Sequence, residues 1–557
     1  MTASLVLTNG KIITVNARFD TAQAVAIEGE RIVAVGSASE IAPLIGKETR
    51  VIDLAGRCAM PGLIDGHAHM DREGLKEALP SVAGLYSIKD IQDRIAEFVS
   101  RAKPGEWIVT MPLGDSPEYE PSPRDFADGR FPNRIDLDQV SPDNPVYVKP
   151  AWGYWRVGMP SVAIANSLAL KLAGLDRNTQ PPAGSVAIDR DGTGQPTGIF
   201  FDNNRMPIVD FTLMKAAPAF DLATRAAALP RSMHIYNSVG TTSVYEGHGV
   251  ARDVAEAYRR VNAAGRQAAR ATLAFSPAWQ GISADTIPGM VADWAKWLAK
   301  TGTGDTWLRE NGIYSEVDTS RENEIRQSVY PETGWAGFNY TGLPREAMKV
   351  LLRECAKNGI RVNGITPPTL ELFAEASKAF PIQDQRWVMA HVTALNEDEI
   401  RLVRDLGIVV TTHTNGYVWK GGADLVNRIG KDRENDVVPL RRLLDAGVPV
   451  ALGTDNVPVS LWYPIWQTVA RLDRKTQTKV APEQALTREE ALHCATLGGA
   501  YLTFEEDEKG SLEKGKLADV IVPSQDPLTC DLEKLRHAVS DVTIVGGKVV
   551  YEREAKA

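Results

Sequence analysis

The chain has 557 residues, of which 43% are hydrophobic and 24% charged, an ordinary composition for a globular protein. Its 62 Lys and Arg residues against 71 Asp and Glu residues give a formal net charge of −9, which argues against a nucleic-acid-binding or anionic-membrane-binding surface. The N-terminus lacks the pattern of a secretory signal, and no apolar run approaches the roughly 20 residues of a membrane span. We therefore expect a cytoplasmic protein that acts on a small molecule, with no nucleic-acid or membrane partner.

Both ends of the chain have the pattern of small antiparallel sheets. Residues 1–60 alternate apolar and polar positions around turns at Asn9-Gly10 and Glu28-Gly29, and residues 508–557 repeat this style. Isolated hairpins are only marginally stable in water. We therefore predict that residues 1–60 and 508–557 pair into one β-sandwich domain.

Two histidines follow the first terminal segment, in Pro61-Gly-Leu-Ile-Asp-Gly-His-Ala-His-Met70. In an extended chain the side chains of His67 and His69 point the same way. Neutral imidazole is a common ligand of zinc-like ions, so the pair predicts half of a metal site. The alternative is a pair of histidines that are satisfied by hydrogen bonds at a strand end.

The central region alternates short β-branched runs with helical segments, as in Trp387-Val-Met-Ala-His391 followed by 396–405. This alternation predicts a parallel sheet, and its length favours a (β/α)8 barrel over an open sheet. We assign the barrel to residues 61–507, with an insertion at about 76–230 where proline-rich sequence breaks the rhythm. The fold class is therefore α/β, a (β/α)8 TIM-like barrel with an insertion domain, plus the small terminal β-sandwich.

Further candidate residues stand at the ends of predicted barrel strands, where a barrel exposes side chains to its mouth. His391 ends one strand and Asp455 ends another, in Ala451-Leu-Gly-Thr-Asp455. With His67 and His69 they provide four nitrogen and oxygen ligands that could close around one divalent ion; alternatively, three bind the ion and the fourth acts on substrate.

Four other positions are weaker candidates. Tyr314 and Glu316 share one face of a strand by alternation, so either could add an oxygen ligand. His248 follows the predicted third strand, and a loop histidine without a site role is the alternative. His413 follows the predicted seventh strand, where it would either reach substrate or make a structural hydrogen bond.

Additional motifs extend over nearly the whole chain. They are Val162-Ala-Ile-Ala-Asn-Ser-Leu-Ala-Leu-Lys-Leu-Ala-Gly174, Gly194-Gln-Pro-Thr-Gly198, Thr487-Arg-Glu-Glu-Ala-Leu492 and Gly515-Lys-Leu-Ala-Asp519. Together with the Pro61–Met70 string, they make the chain resemble the amidohydrolase superfamily, in its amidohydrolase family 3 branch that contains N-substituted formamide deformylases. The resemblance implies metal-dependent hydrolysis.

The chain also departs from that family. Members usually carry a bridging carboxylated lysine on the fourth strand and a histidine on the fifth, where this chain has Tyr314 and Asn363. Ser161 stands where the branch often has another histidine. With two usual ligands gone, we expect one divalent ion, held by His67, His69, Asp455 and His391. Zinc is the expected metal, with manganese or iron as alternatives.

The predicted activity is hydrolysis of a C–N bond in an amide, carbamate, urea or lactam by metal-activated water. We assign catalytic roles to Asp455 as proton acceptor and donor, and to His391 and Tyr314 at the oxyanion. Substrate contacts are assigned to Trp155, His413, Asn363 and Trp419. Clustered aromatic residues favour an apolar or aromatic substrate, unless they pack the insertion onto the barrel. A homodimer is also expected.

Two other classes of function stay open. Tyr314 and Asn363 replace two usual metal ligands of the family. An enzyme with the same fold could therefore catalyse a metal-free or metal-assisted lyase, isomerase or decarboxylase reaction. A non-catalytic binding protein is the third possibility, which the survival of His67, His69, His391 and Asp455 disfavours.

Overall fold

A computed structural model describes most of the chain. The described residues are 2–116, 118–153, 155–156, 158, 160–329, 334–339, 341–365, 369–412 and 414–554. Within them, no helix is both long and apolar enough to cross a membrane.

Eight parallel strands form the centre of the molecule, and neighbours in the chain are neighbours in the sheet. They are β1 Leu63–Asp65, β2 Thr241–Val250, β3 Arg270–Phe275, β4 Leu308–Tyr314, β5 Val362–Gly364, β6 Val388–Met389, β7 Val409–Thr412 and β8 Val450–Leu452. The eighth strand returns to the first, because the Gly66 amide, just after β1, donates to the Leu452 carbonyl at 2.8 Å. The strands form a nearly closed barrel, which confirms the predicted fold class.

Both faces of these barrel strands are buried, for polar residues as well as for apolar ones. All ten residues of β2 and all four of β7 are buried. The strand Thr303–Gly304 pairs antiparallel with β4 at the edge of this ring.

Helices cover the outside of the barrel. They are Met70–Glu73, Leu222–Ser238, Arg252–Ala263, Ile287–Leu298, Arg321–Ser328, Arg345–Asn358, Thr369–Ala379, Glu397–Asp405, Gly422–Ile429, Leu440–Asp445, Trp462–Ala470, Arg488–Cys494 and Leu497–Leu502. In Arg345–Asn358 the buried residues recur every three or four positions, and the helix ends at Gly359 in the left-handed conformation with φ 69°. A π-helix, Asn415–Lys420, follows β7. Short 3-10 helices are Ala42–Leu44, Gly74–Glu77, Pro123–Asp125, Ala284–Thr286, Lys431–Asp436 and Pro482–Gln484.

Strands from both ends of the chain share one sheet, and a second sheet consists of N-terminal strands alone. One sheet has the order Lys548–Glu552, Ser540–Val545, Val520–Pro523, Cys58–Pro61, Lys11–Ile13 and Thr21–Ala22, and the other has the order Arg31–Gly36, Ala24–Glu28, Leu5–Thr8 and Arg50–Asp53. The short helices Ala38–Ile41 and Leu532–Leu535 accompany them. Apolar side chains of both sheets pack into one core that includes Leu7, Val25 and Val520. The predicted sandwich is present, while its boundaries at residues 60 and 508 stay a prediction.

A separate five-stranded sheet lies in the insertion. Its order is Val186–Arg190, Pro196–Asp202, Ser161–Ala165, Val146–Val148 and Ile108–Thr110, with helices Ile88–Val99, Arg134–Asp138, Ser167–Leu172 and Ile208–Phe211. Asn166 connects its parts, because its side-chain oxygen accepts from the Ala169 and Val146 amides at 2.9 and 3.0 Å. Ser161 is buried in this sheet and donates to the Asp202 carbonyl. The conspicuous Asn-Ser-Leu motif therefore caps a helix.

A buried ion pair joins the barrel to the C-terminal strands. The guanidinium of Arg270, at the start of β3, donates to both oxygens of Asp519 at 2.8 and 3.0 Å. The two side chains are 1% and 6% exposed. Asp519 also accepts from the Gly546 amide at 2.8 Å, so the carboxylate is fully engaged.

We expect Asp519→Asn to lower the free energy of unfolding by about 3–5 kcal/mol, because it leaves the Arg270 charge buried without its partner. Urea denaturation measures the change. The control is Asp293→Asn, which removes a carboxylate that is 73% exposed and should change stability little. An equal loss of stability in the two variants would contradict a stabilising role of the Arg270–Asp519 ion pair.

Candidate metal centre

His67 and His69 lie just beyond β1, and not in the strand as the alternation argument assumed. The strand ends at Asp65, and His69 is the residue that precedes the helix Met70–Glu73. The two imidazole rings are perpendicular, with centroids 5.5 Å apart. They still converge, because the backbone around them is fixed by hydrogen bonds to β8.

Two side chains make that connection. The carboxylate of Asp65 accepts from the backbone amides of His67 and Thr454 at 3.1 and 3.0 Å, and from the Thr454 hydroxyl at 2.5 Å. The carboxamide of Asn456 accepts from the His69 amide at 2.9 Å and donates to the His69 carbonyl at 2.7 Å. Burial raises the pKa of Asp65 to about 7.

Asp455 and His391 meet the pair from β8 and β6. Asp455 Oδ1 lies 2.9 Å from His69 Nε2 and 3.9 Å from His67 Nε2, and His391 Nε2 lies 3.2 Å from His67 Nε2. The other ring nitrogen of His391 is 2.9 Å from the Tyr417 hydroxyl. His391 and Asp455 both have left-handed backbones, with φ 52° and 53°. Such conformations are uncommon for residues other than glycine and concentrate at functional sites.

The second strand adds His248, a weaker candidate from the sequence, and Glu246, which the sequence reasoning missed. His248 lies within β2, not after a third barrel strand, and its ring centroid is 4.7 Å from that of His67 and 4.8 Å from that of His69. Two residues earlier, Glu246 accepts from the Met70 amide and the Tyr258 hydroxyl at 2.8 and 2.7 Å. Its other oxygen lies 3.8 Å from His69 Nδ1. The Glu-x-His spacing repeats that of His67 and His69, and this signal could have found the strand.

The donor set fits a divalent cation. One ligand atom from each of His67, His69, His248 and Asp455 lies within 4.8 Å of the others, and all four residues are buried. Burial and the three neighbouring imidazoles hold the pKa of His248 well below its usual value, so the ring is neutral and can offer a lone pair. His69, Asp71 and Glu246 form a second, adjoining group. The predicted ligand set was His67, His69, Asp455 and His391. The first group contains the first three of these residues, and its fourth member is His248.

Tyr314 and Asn363 lie in the barrel beside this cluster. The Tyr314 ring is 5.4 Å from the His248 ring, centroid to centroid. The carboxamide oxygen of Asn363 accepts from the Tyr245 hydroxyl at 2.7 Å, which is an internal contact of the barrel. Burial and the nearby Asp318 carboxylate raise the pKa of Glu316 to about 7.

The two tryptophans predicted to contact substrate pack against other aromatic rings. Trp155 is 2% exposed and packs against Tyr119 and Trp335, with ring centroids 5.5 Å away in both cases. Trp419 packs against Trp466 at 5.2 Å. His413 lies outside the described residues. The substrate-binding roles of these residues stay predictions.

Aromatic rings from the insertion and from the segment that follows β4 cover the cluster. Phe338 lies over both His69 and His248, with centroid distances of 5.9 and 5.0 Å, and the Trp152 ring contacts Phe338 at 6.5 Å. These rings belong to one buried apolar cluster with Trp155 and Trp335. Much of the aromatic surface therefore packs the insertion onto the barrel, the alternative left open by the sequence.

Comparison with known proteins identifies the family. The model of the amidohydrolase family matches residues 50–551. The chain belongs to this family. This amidohydrolase is 27% identical to the N-substituted formamide deformylase of Arthrobacter pascens, over 99% of its own length and 98% of the relative. The resemblance inferred from the sequence motifs is confirmed.

Solved structures show the same fold. A metal-dependent hydrolase from Pyrococcus furiosus superposes with a TM-score of 0.67 at 21% identity, covering 94% of the amidohydrolase and 100% of that chain. An atrazine chlorohydrolase from Arthrobacter aurescens TC1, complexed with zinc, gives a TM-score of 0.52 at 15% identity, with 98% and 95% coverage.

Gly247 provides a test of the cluster's packing. A Cβ at this position would lie 2.4 Å from Nδ1 of His67, so Gly247→Ala must displace that ring. We expect roughly a 10- to 100-fold weaker zinc affinity, as for other changes that misorient a ligand. Competition with a chromogenic chelator measures the affinity.

The control is Gly289→Ala, because a Cβ at Gly289 meets no atom within 4 Å. It should leave zinc affinity unchanged. Unchanged affinity in Gly247→Ala as well would exclude His67 from the metal-binding set.

Proposed function

We propose that this amidohydrolase hydrolyses a C–N bond of a small amide-type substrate, using one divalent ion, with zinc as the expected metal. The observation that carries the proposal is the buried convergence of His67, His69, His248 and Asp455 within 4.8 Å. The formamide bond in the name of its Arthrobacter pascens relative supports a C–N bond as the target, and the zinc-complexed structural neighbour supports zinc.

His67, His69 and Asp455 would hold the ion, with His248 or His391 as the fourth ligand. The ion supplies Lewis acidity that makes a water molecule nucleophilic near neutral pH. We propose a single ion, because the family resemblance puts Tyr314 and Asn363 at positions where relatives carry ligands of a second ion. The adjoining group of His69, Asp71 and Glu246 shares His69 with the first group.

The protein's own side chains would handle the protons and the developing charge. The Asp455 carboxylate accepts the proton of the attacking water and returns it to the leaving nitrogen. With His248 as the fourth ligand, His391, oriented by the Tyr417 hydroxyl 2.9 Å from its Nδ1, is left to stabilise negative charge on the substrate carbonyl oxygen. Phe338, stacked on His69 and tilted against His248, excludes bulk water from one side of the cluster.

We expect Asp455→Asn to lower kcat by about 10²- to 10⁴-fold, because the amide cannot accept the water proton. The assay follows amine release from a panel of N-substituted formamides, acetamides and ureas. Asp293→Asn, an exposed change, is the control. Turnover by Asp455→Asn near the unmodified level would exclude Asp455 as the proton acceptor.

Removal of the ion tests the metal directly. Dialysis against a chelator should abolish hydrolysis, and added zinc or manganese should restore it. Elemental analysis of the active protein should give about one ion per chain. Activity that is indifferent to chelation would favour a metal-free reaction, and a content near two ions would contradict the mononuclear centre.

A further inference from the structure

A cavity of about 390 Å³ opens beside the candidate metal ligands His391 and Asp455. His391 and Asp455 form its inner end. The π-helix Asn415–Lys420 and the following helix Gly422–Ile429 supply much of its wall. The volume is within the range of small-molecule sites, and a ligand in this space would have one end at the residues assigned to the reaction.

The outer wall of this cavity is rich in positive charge. Its cationic residues come from the insertion and from the segment after β7, and they are Arg156, Arg205, Lys420 and Arg428. The carboxylates that line it are Asp424 and Asp455, and Asp455 is engaged with the imidazole cluster. An adjoining cavity of about 720 Å³ shares Arg156, Lys420 and Asp424 and adds Arg474, Lys475 and Glu120. Arg474 is paired with Glu118 at 3.3 Å, and cationic residues outnumber carboxylates in this lining as well.

Backbone carbonyls, and not carboxylates, fix two of these cations. Lys420 Nζ donates to the Trp155 carbonyl at 3.2 Å. The Arg156 guanidinium donates to the carbonyls of Gly158 and Pro160, at 3.0 Å each, and to that of Tyr119. Among the described residues, neither Lys420 nor Arg156 forms an ion pair with an acidic side chain. Their charges are therefore positioned but not neutralised by direct contact.

Lys420 is the better anchor of the two. Its ammonium group has three donors, of which one is used by the Trp155 carbonyl. Burial lowers the pKa of Lys420, while Glu118 and Glu120 act in the opposite direction from a distance. An anion at Lys420 would relieve the burial of an uncompensated charge, which favours binding.

We propose that this cavity binds substrates that carry an anionic group, a carboxylate or a phosphate, with Lys420 as its specificity-determining contact. The inference rests on the proposed function, because the amide end must lie at His391 and Asp455. It adds an anionic group to the expected apolar or aromatic substrate: Tyr417 lines the cavity, and much of the remaining wall is cationic.

The test uses two non-hydrolysable ketone analogues of an N-benzylacetamide, 4-(3-oxobutyl)benzoate and 4-(3-oxobutyl)benzamide, which differ in charge at one end. Calorimetric titration of the zinc-loaded full chain should show the benzoate binding at least about tenfold more tightly, as expected for a charge-assisted hydrogen bond. In Lys420→Gln this preference should disappear while the affinity for the benzamide stays unchanged. Lys296→Gln, whose side chain is 74% exposed, should keep the full preference.

Each other outcome overturns the inference. Equal affinity for the two analogues, including no measurable binding of either, excludes an anion site. A preference that survives in Lys420→Gln shows that the carboxylate binds elsewhere, for example on the ion. The phosphonate analogue, 4-(3-oxobutyl)phenylphosphonate, separates the two anion sources, because tighter binding than the benzoate identifies phosphate as the preferred group.

The same experiment distinguishes this inference from the proposed function. Charge preference without hydrolysis of any amide in the panel would exclude the hydrolase and leave the anion site. Hydrolysis of neutral amides without charge preference would do the reverse.

Discussion

The hydrogen-bonded seam between the ends of β1 and β8 determines the geometry of the candidate centre. The Asp455 amide donates to the His67 carbonyl at 2.9 Å, and Asp65 and Asn456 bridge the same two segments through their side chains. These contacts complete the ring of strands and at the same time place the Asp455 carboxylate against His69. Closure of the barrel and assembly of the centre are therefore one structural event.

Burial makes this cluster costly without a cation. Glu246 lies beside His69, and burial raises the pKa of Glu246 well above its usual value. Transfer of carboxylates from water into a protein interior costs several kcal/mol per charge unless an opposite charge compensates it. A divalent ion among neutral imidazoles would supply that compensation, which explains why so many ionisable groups converge at the covered mouth of the barrel.

Much of the fold could be predicted from the sequence. Short apolar runs alternating with helices specify a barrel, and His67, His69, His391 and Asp455 could be found because each follows such a run. His248 was harder to place, since strand-like runs in the insertion pair in their own sheet and disturb the strand count. The left-handed backbones of His391 and Asp455 have no glycine to signal them. Arg156 or Lys149 could be suggested from the sequence as a partner of a carboxylate, but not their orientation. That Arg156 and Lys420 line one cavity depends on the docking of the insertion. The domain boundaries, homodimer and cytoplasmic location stay predictions.

The most direct measurement is a crystal structure of the zinc-loaded protein with anomalous data collected at the zinc edge. A single peak in contact with His67, His69 and Asp455, with His248 or His391 completing the coordination, is the expected result. Two peaks in the barrel mouth, or a peak that Asp455 does not contact, would contradict the mononuclear centre on which the proposed hydrolysis depends.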